Sequence, residues 1–176
     1  MLKEFTYNND QNISFRETKK GRLESSDILI SIFNASCRIV IDADEMEDSD
    51  SADINEAIDN LLKLDISNKA KIEPYIVEKY NEAKTTYYDE GDKAETQKDI
   101  WQKLVLRFIY VEKRRRNGGV YIKVQFDCEW DEEGGLQLVF NRSGKLVRVS
   151  SIDGWLTDAD AYGKPDSADD QLNRFI

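Results

Sequence analysis

From Val120 to Trp130 apolar and polar residues alternate almost without interruption. Val120, Ile122, Val124, Phe126, Cys128 and Trp130 fall to one side, and Tyr121, Lys123, Gln125, Asp127, Glu129 and Asp131 to the other. A period of two marks a strand with one buried face. Acid-rich Asp131-Glu132-Glu133 and the pair Gly134-Gly135 then predict a turn. Leu136 to Phe140 reads as a second strand, Asn141-Arg142-Ser143-Gly144 as another turn, and Lys145 to Val149 as a third strand. Upstream, Ile100 to Val111 fits two patterns. Trp101, Leu104, Val105 and Phe108 have helical spacing, whereas Leu104, Leu106, Phe108 and Tyr110 alternate. The run Phe108-Ile109-Tyr110-Val111 and the hairpin signal Asn117-Gly118 favour a strand from Leu104 to Lys113.

In the first half, Asp27 to Asn34 and Cys37 to Ile41 are β-rich and predict a hairpin, with Asn34-Ala35-Ser36 as its connection. Residues 1–26 are poorly patterned, with one short hairpin around Ile13-Ser14-Phe15-Arg16 and the turn Lys19-Lys20-Gly21-Arg22; the first few residues are expected to be loose. Asp53-Ile54-Asn55-Glu56 has the form of a capping box. Ile54, Ala57, Ile58, Leu61 and Leu62 follow at helical spacing, to a stop near Leu64. Pro74 fits the first turn of a second helix, whose apolar face is Tyr75, Ile76, Tyr80, Ala83 and Tyr87. Residues 89–98 read as an exposed loop, and 153–176 as an irregular tail with a docked Trp155 and a mobile end. Residues 27–152 then form one α+β domain. It has a mainly antiparallel sheet of about five to six strands, one face covered by two consecutive helices, in the order β-β-α-α-β-β-β-β.

Composition narrows the function classes. The net charge is -10 with pI near 4.6, and mean hydropathy is -0.65. An acidic surface repels phosphate backbones, so nucleic acid is not an expected ligand, whereas a basic protein is. No apolar run has the length of a membrane helix, and the start lacks the apolar segment of a secretion signal. The expectation is a cytoplasmic protein. The chain has no histidine, which removes Ser-His-Asp and Cys-His chemistry and histidine-containing zinc sites. Cys37 and Cys128 lie in predicted strands and read as small buried hydrophobes.

Three groups of residues are candidate sites. On a strand, Asp127, Glu129 and Asp131 would share a face with neighbours about 7 Å apart; with Glu133 they are the candidate ligands for calcium or magnesium, or a carboxylate pair sharing a proton. The competing expectation is turn capping by Asp131 or Glu133, with Asp127 and Glu129 paired across strands to Lys123, Arg107 or Arg114. The acidic run Asp42 to Asp53 lacks the spacing of an EF-hand and reads as a solvated loop. The basic run Lys113-Arg114-Arg115-Arg116 either grips an anion or is a loop tip paired with the acidic loops. Trp130 either plugs the end of the sheet or is presented to a partner.

The segment Phe126-Asp127-Cys128-Glu129-Trp130-Asp131-Glu132-Glu133-Gly134-Gly135-Leu136 resembles the signature of a bacterial family of domains of unknown function, aromatic-x-Cys-x-Trp-Asp-x-Glu-His-Gly-Leu. The order of a strand pair, two helices ending in Tyr87-Tyr88 and a hairpin into the motif also matches, over Asp27 to Ile152. This chain has Gly134 where that family tends to carry His, so chemistry resting on that His would not operate here. The resemblance implies a fold and brings no established activity. Residue chemistry and charge together favour a non-enzymatic acidic interaction module, by analogy an immunity-type protein binding a basic toxin. Its candidate contacts are Trp130, Asp131, Glu132, Glu133, Asp44, Glu47 and Asp48, and no cofactor is expected. The alternative is a divalent-cation site or a carboxylate-based enzyme at Asp127 to Glu133.

Overall fold

A computed structural model of the chain describes residues 2, 4–7, 13–87 and 97–167. Its strands and helices, in chain order, are β1 (Phe15–Glu17), β2 (Leu23–Ser25), β3 (Ile28–Ile30), β4 (Ala35–Cys37), β5 (Ile39–Ile41), α1 (Ser51–Leu62), α2 (Ile66–Tyr87), β6 (Leu104–Lys113), β7 (Val120–Cys128), β8 (Asp131–Asn141), β9 (Leu146–Ser150) and α3 (Asp158–Ala161). Seven strands make one sheet in the order β1-β2-β5-β6-β7-β8-β9, and β3 and β4 form a separate hairpin. The expected α+β class and antiparallel character hold. The added strands are three residues each, too short for alternation to announce them.

Among the described residues, the one parallel pair is β5 with β6. A parallel pair needs a long crossover, and α1 and α2 provide it. Ile54, Ala57, Ile58 and Leu61 of α1 and Ile72, Ile76 and Tyr80 of α2 are buried in the main core, with Ile122, Val124, Phe126, Leu136, Leu138 and Phe140 of the sheet. The strand predicted from Leu104 to Lys113 is β6; a 3-10 segment, Gln97–Lys103, precedes it.

Several boundaries differ from expectation for local reasons. The run Cys37 to Ile41 divides, because Cys37 ends β4 whereas Ile39 to Ile41 joins the large sheet. The connection is Ser31 to Asn34, where the Phe33 amide donates to the Ile30 carbonyl and Asn34 takes a φ of 50°. Asn tolerates that left-handed backbone better than other side chains. Helix α1 starts at Ser51, and Asp53 is in its first turn, not at its cap. Pro74 lies inside α2. The helix instead begins at Ile66, just after Asp65, whose Oδ1 accepts from the Ser67 and Asn68 amides while Asn68 Oδ1 accepts from the Asp65 amide. A helix-interior proline costs about 3 kcal/mol, which the burial of Ile72, Ile76 and Tyr80 offsets. Near the start, where looseness is expected, Leu2, Phe5 and Tyr7 are buried, as is Ile13, and Tyr7 Oη donates to the Asp59 carboxylate. Residues 89–96 of the expected loop, Tyr88, and the end of the tail lie outside the described residues.

The predicted Asp131 to Gly135 turn is also corrected. The chain turns earlier, at Glu129-Trp130, with Cys128 paired to Asp131. Phe126 pairs with Leu136, so Glu132 to Gly135 bulge out of β8. Asp131 Oδ1 accepts the Gly134 amide at 2.8 Å inside the bulge. Gly135 has a φ of +58°, and a Cβ there would lie 2.7 Å from Ile152 Cδ1 and 2.8 Å from the Phe126 carbonyl oxygen. Gly135→Ala is therefore expected to destabilise the fold by about 1–3 kcal/mol. Thermal denaturation checks this against Gly154→Ala, where φ is +83° and no atom lies within 4 Å of the added Cβ; equal loss in the two variants would contradict the bulge.

Candidate functional site

The acidic hairpin disperses its carboxylates. Asp131 lies on β8, not beside Asp127 and Glu129 on one strand face. Arg107 Nη1 donates to Asp127 Oδ1 at 2.9 Å, and Lys103 Nζ donates to Glu129 Oε2 at 3.2 Å. Asp131 caps Gly134 and accepts from Ser151 Oγ. Among the described residues, no group of three or more Cys, Asp or Glu side chains is placed to hold a metal ion. Cys128 is buried, which pushes its thiol up to about 11. Cys37 donates to the Arg38 and Arg107 carbonyls, and both cysteines are free thiols. Trp130 is buried edge-to-face on Tyr80, with centroids 5.2 Å apart. It plugs the end of the sheet, with its indole packed into the main core.

The acidic segment before α1 folds as two 3-10 turns, Ala43–Glu45 and Asp48–Asp50. Its carboxylates divide into two kinds. Asp50 accepts Lys113 Nζ at 2.7 Å and Glu45 accepts Arg115 Nη2 at 2.5 Å. Asp44, Glu47 and Asp48 are exposed. Glu132 and Glu133 are exposed on the bulge. These two exposed acidic groups are at opposite ends of β7: the first adjoins Lys113, which pairs with Val120, and the second flanks Asp131, which pairs with Cys128.

The basic run is the junction of three segments. Lys113 and Arg115 hold the acidic turns. Arg114, only 3% exposed, sends Nε to Asp160 Oδ2 at 2.6 Å and Nη2 to Asp160 Oδ1 at 2.8 Å and Asp166 Oδ1 at 2.9 Å. Arg116 Nη1 donates to the Lys164 carbonyl and reaches Asp166 Oδ1 at 3.2 Å. The run is thus a loop tip paired with acidic segments, the second of the two expectations. Beside it lies a cleft of about 350 Å³, lined in part by Glu112, Arg115, Arg116 and Trp155.

The tail crosses the sheet face that the helices leave open. Val139, Val147 and Leu156 form a small second core there, with Tyr121 against it. Trp155 is 50% exposed, not docked as expected; the neighbouring Leu156 is the buried side chain. Arg148, 1% exposed, lies under the tail. It donates to Asp158 Oδ1 at 2.8 Å, to both Asp153 oxygens at 2.6 and 2.7 Å, and to the Trp155 carbonyl at 3.0 Å. Burial works against the Asp153 carboxylate, yet Arg148 and the Trp155 amide hold its pKa below the ordinary value. The Arg114 hydrogen bond holds Asp160 below the ordinary value too.

Sequence reasoning missed Arg148, Asp153, Asp158 and Asp160. A signal was present: Leu138-Val139-Phe140 and Leu146-Val147 are apolar at successive positions. That pattern belongs to strands covered on both faces, so a second layer over β8 and β9 was required.

A family model described as a domain of unknown function, DUF6985, matches residues 4–156. No curated protein and no solved structure matches the chain.

The tail contacts predict a pH dependence. A carboxylate with a depressed folded pKa contributes stability above the unfolded value, near pH 4, and loses it as pH falls through the folded value. The wild-type melting temperature should fall as pH drops below about 4. Asp153→Asn should melt lower at neutral pH, by about 2 kcal/mol, with a flatter acid limb. Parallel wild-type and variant curves would contradict the role of Asp153.

Proposed function

The chain belongs to this family of domains of unknown function, and from that premise we propose that it is a non-enzymatic acidic module that binds a basic protein. By analogy it is of the immunity type, which blocks a basic bacterial toxin. The observation that carries the reading is the distribution of charge. Arg38, Arg107, Arg114, Arg115, Arg116, Arg142 and Arg148 all pair with the chain's own carboxylates, as do Lys79, Lys103, Lys113 and Lys123. The net charge is -10, and these pairs take up eleven of the chain's 25 cations. Among the described residues, Asp44, Asp48, Glu132 and Glu133 are exposed with no cationic partner. Such a surface steers a basic protein to productive encounter and disfavours nucleic acid.

The cation or carboxylate-enzyme alternative has no observation in its favour, since Asp127, Glu129 and Asp131 are separately engaged. A cytoplasmic site of action, a bacterial source and the reading of Phe126 to Leu136 as the family's hairpin signature are parts of the same proposal. No helix among the described residues is long and apolar enough to cross a membrane.

The test is whether a neighbouring reading frame encodes a basic, toxin-like protein, followed by co-expression with it. The expected result is copurification that weakens as salt rises. The triple variant Asp44→Lys, Glu47→Lys, Asp48→Lys should bind about tenfold more weakly, chiefly through a slower on-rate. Failure of the neighbour to copurify would reject the immunity-type reading.

A further inference from the structure

The segment from Thr157 to Ser167 is bound to the rest of the molecule as a peptide ligand would be. The buried Thr157 side chain accepts the Asp160 amide and starts the four-residue α3. Apolar contact is small, made by Leu156 and Ala159. The strong contacts are ionic. Asp160 meets the fork of Arg114 with both oxygens, the geometry in which guanidinium and carboxylate recognise each other best. Asp166 shares Arg114 with it and also reaches Arg116, and a carbonyl of the same segment accepts from Arg116. Two carboxylates and one main-chain carbonyl thus engage two arginines of the same loop, Arg114 and Arg116. The segment lies beyond residue 156, where the family match ends. The cleft beside it stays open to solvent, with the half-exposed Trp155 ring and the 88% exposed Arg115 on its wall.

We propose that the Arg114–Arg116 loop is a binding site for an acidic peptide segment, and that the chain's own Asp158-to-Asp166 segment occupies it in cis as a competitor. The occupant in view is a pair of peptide carboxylates six residues apart, Asp160 and Asp166, which selects an acidic polypeptide over a phosphate. The two ends of the occupant are held unequally. Asp160 meets a buried guanidinium, whereas Asp166 is half exposed and contributes little in water. An acidic ligand would therefore enter from the Asp166 end, first taking Arg116 and then competing for Arg114. A tethered competitor acts at an effective concentration in the millimolar range, so the native chain holds the site closed against weak ligands. This site is opposite in charge to the surface proposed for the basic partner and stands or falls separately from it.

The test uses a fluorescently labelled peptide of residues 157–167 and anisotropy titrations against the full chain. Wild type should bind weakly. Asp166→Asn should bind more tightly, and Asp160→Asn with Asp166→Asn more tightly still, by about tenfold or more over wild type. Adding Arg116→Ala to Asp166→Asn should remove the gain, as should placing Asn at the Asp160 and Asp166 positions of the peptide. The proposal is overturned if Asp166→Asn, and the double variant where it remains folded by circular dichroism, bind the peptide no better than wild type. It is also overturned if the variants bind polyphosphate or RNA in place of the peptide. Should the double variant not fold, the exposed position of Asp166 leaves the single variant to decide.

Discussion

A guanidinium withdrawn from water is stable only where carboxylates or carbonyls meet its donors; stranding one costs about 3–5 kcal/mol. Among the described residues two are buried, Arg114 at the turn between β6 and β7 and Arg148 on β9. Their partners come almost wholly from one short stretch: Asp153 and Asp158 for Arg148, and Asp160 and Asp166 for Arg114. Residues 153–167 bury little apolar surface, Leu156 and Ala159, and are placed chiefly by these pairs. Once placed, it covers Val139 and Val147, whose exposure would otherwise leave the back of the sheet wet.

The same pairing governs what the outside of the molecule offers. Cations on one segment are matched to carboxylates on another: Lys113 to Asp50, Arg115 to Glu45, Arg142 to Asp53 and Arg107 to Asp127. The first two bring the acidic turns to the Lys113-to-Gly119 loop, the third ties α1 to the turn between β8 and β9, and the last links β6 to β7. The surplus negative charge is left facing solvent at both ends of β7. Recognition of a basic surface then needs no preformed pocket, only complementary charge and shape.

The sequence announced the architecture where burial is one-sided. Alternation from Val120 to Cys128 and the aromatic, β-branched run around Phe108 mark β7 and β6, since each sends side chains into the main core. It was silent where long-range pairing decides. The three-residue β1 and β2 exist because neighbours supply their ladder partners. Pro74 misplaced the start of α2, because a rule for isolated helices gave way to the tertiary burial of Ile72 and Ile76. The acidic hairpin looked like a site because its carboxylates are close in sequence; the turn at Glu129-Trp130 separates them. The acids that do converge, from Asp153 to Asp166, are spread along an irregular tail and converge only on two distant arginines.

Whether the two buried guanidiniums hold the tail is read most directly from the arginine side-chain Nε–H signals in nitrogen-correlated proton NMR spectra. Arg148 Nε donates to Asp158 at 2.8 Å and Arg114 Nε to Asp160 at 2.6 Å, both out of solvent. Those two protons should exchange slowly with water, while that of the exposed Arg115 exchanges fast. Deleting residues 158–176 should bring the Arg114 proton to the fast rate. If the Arg114 and Arg148 protons exchange as quickly as that of Arg115 in the intact chain, the tail is not held by these ion pairs.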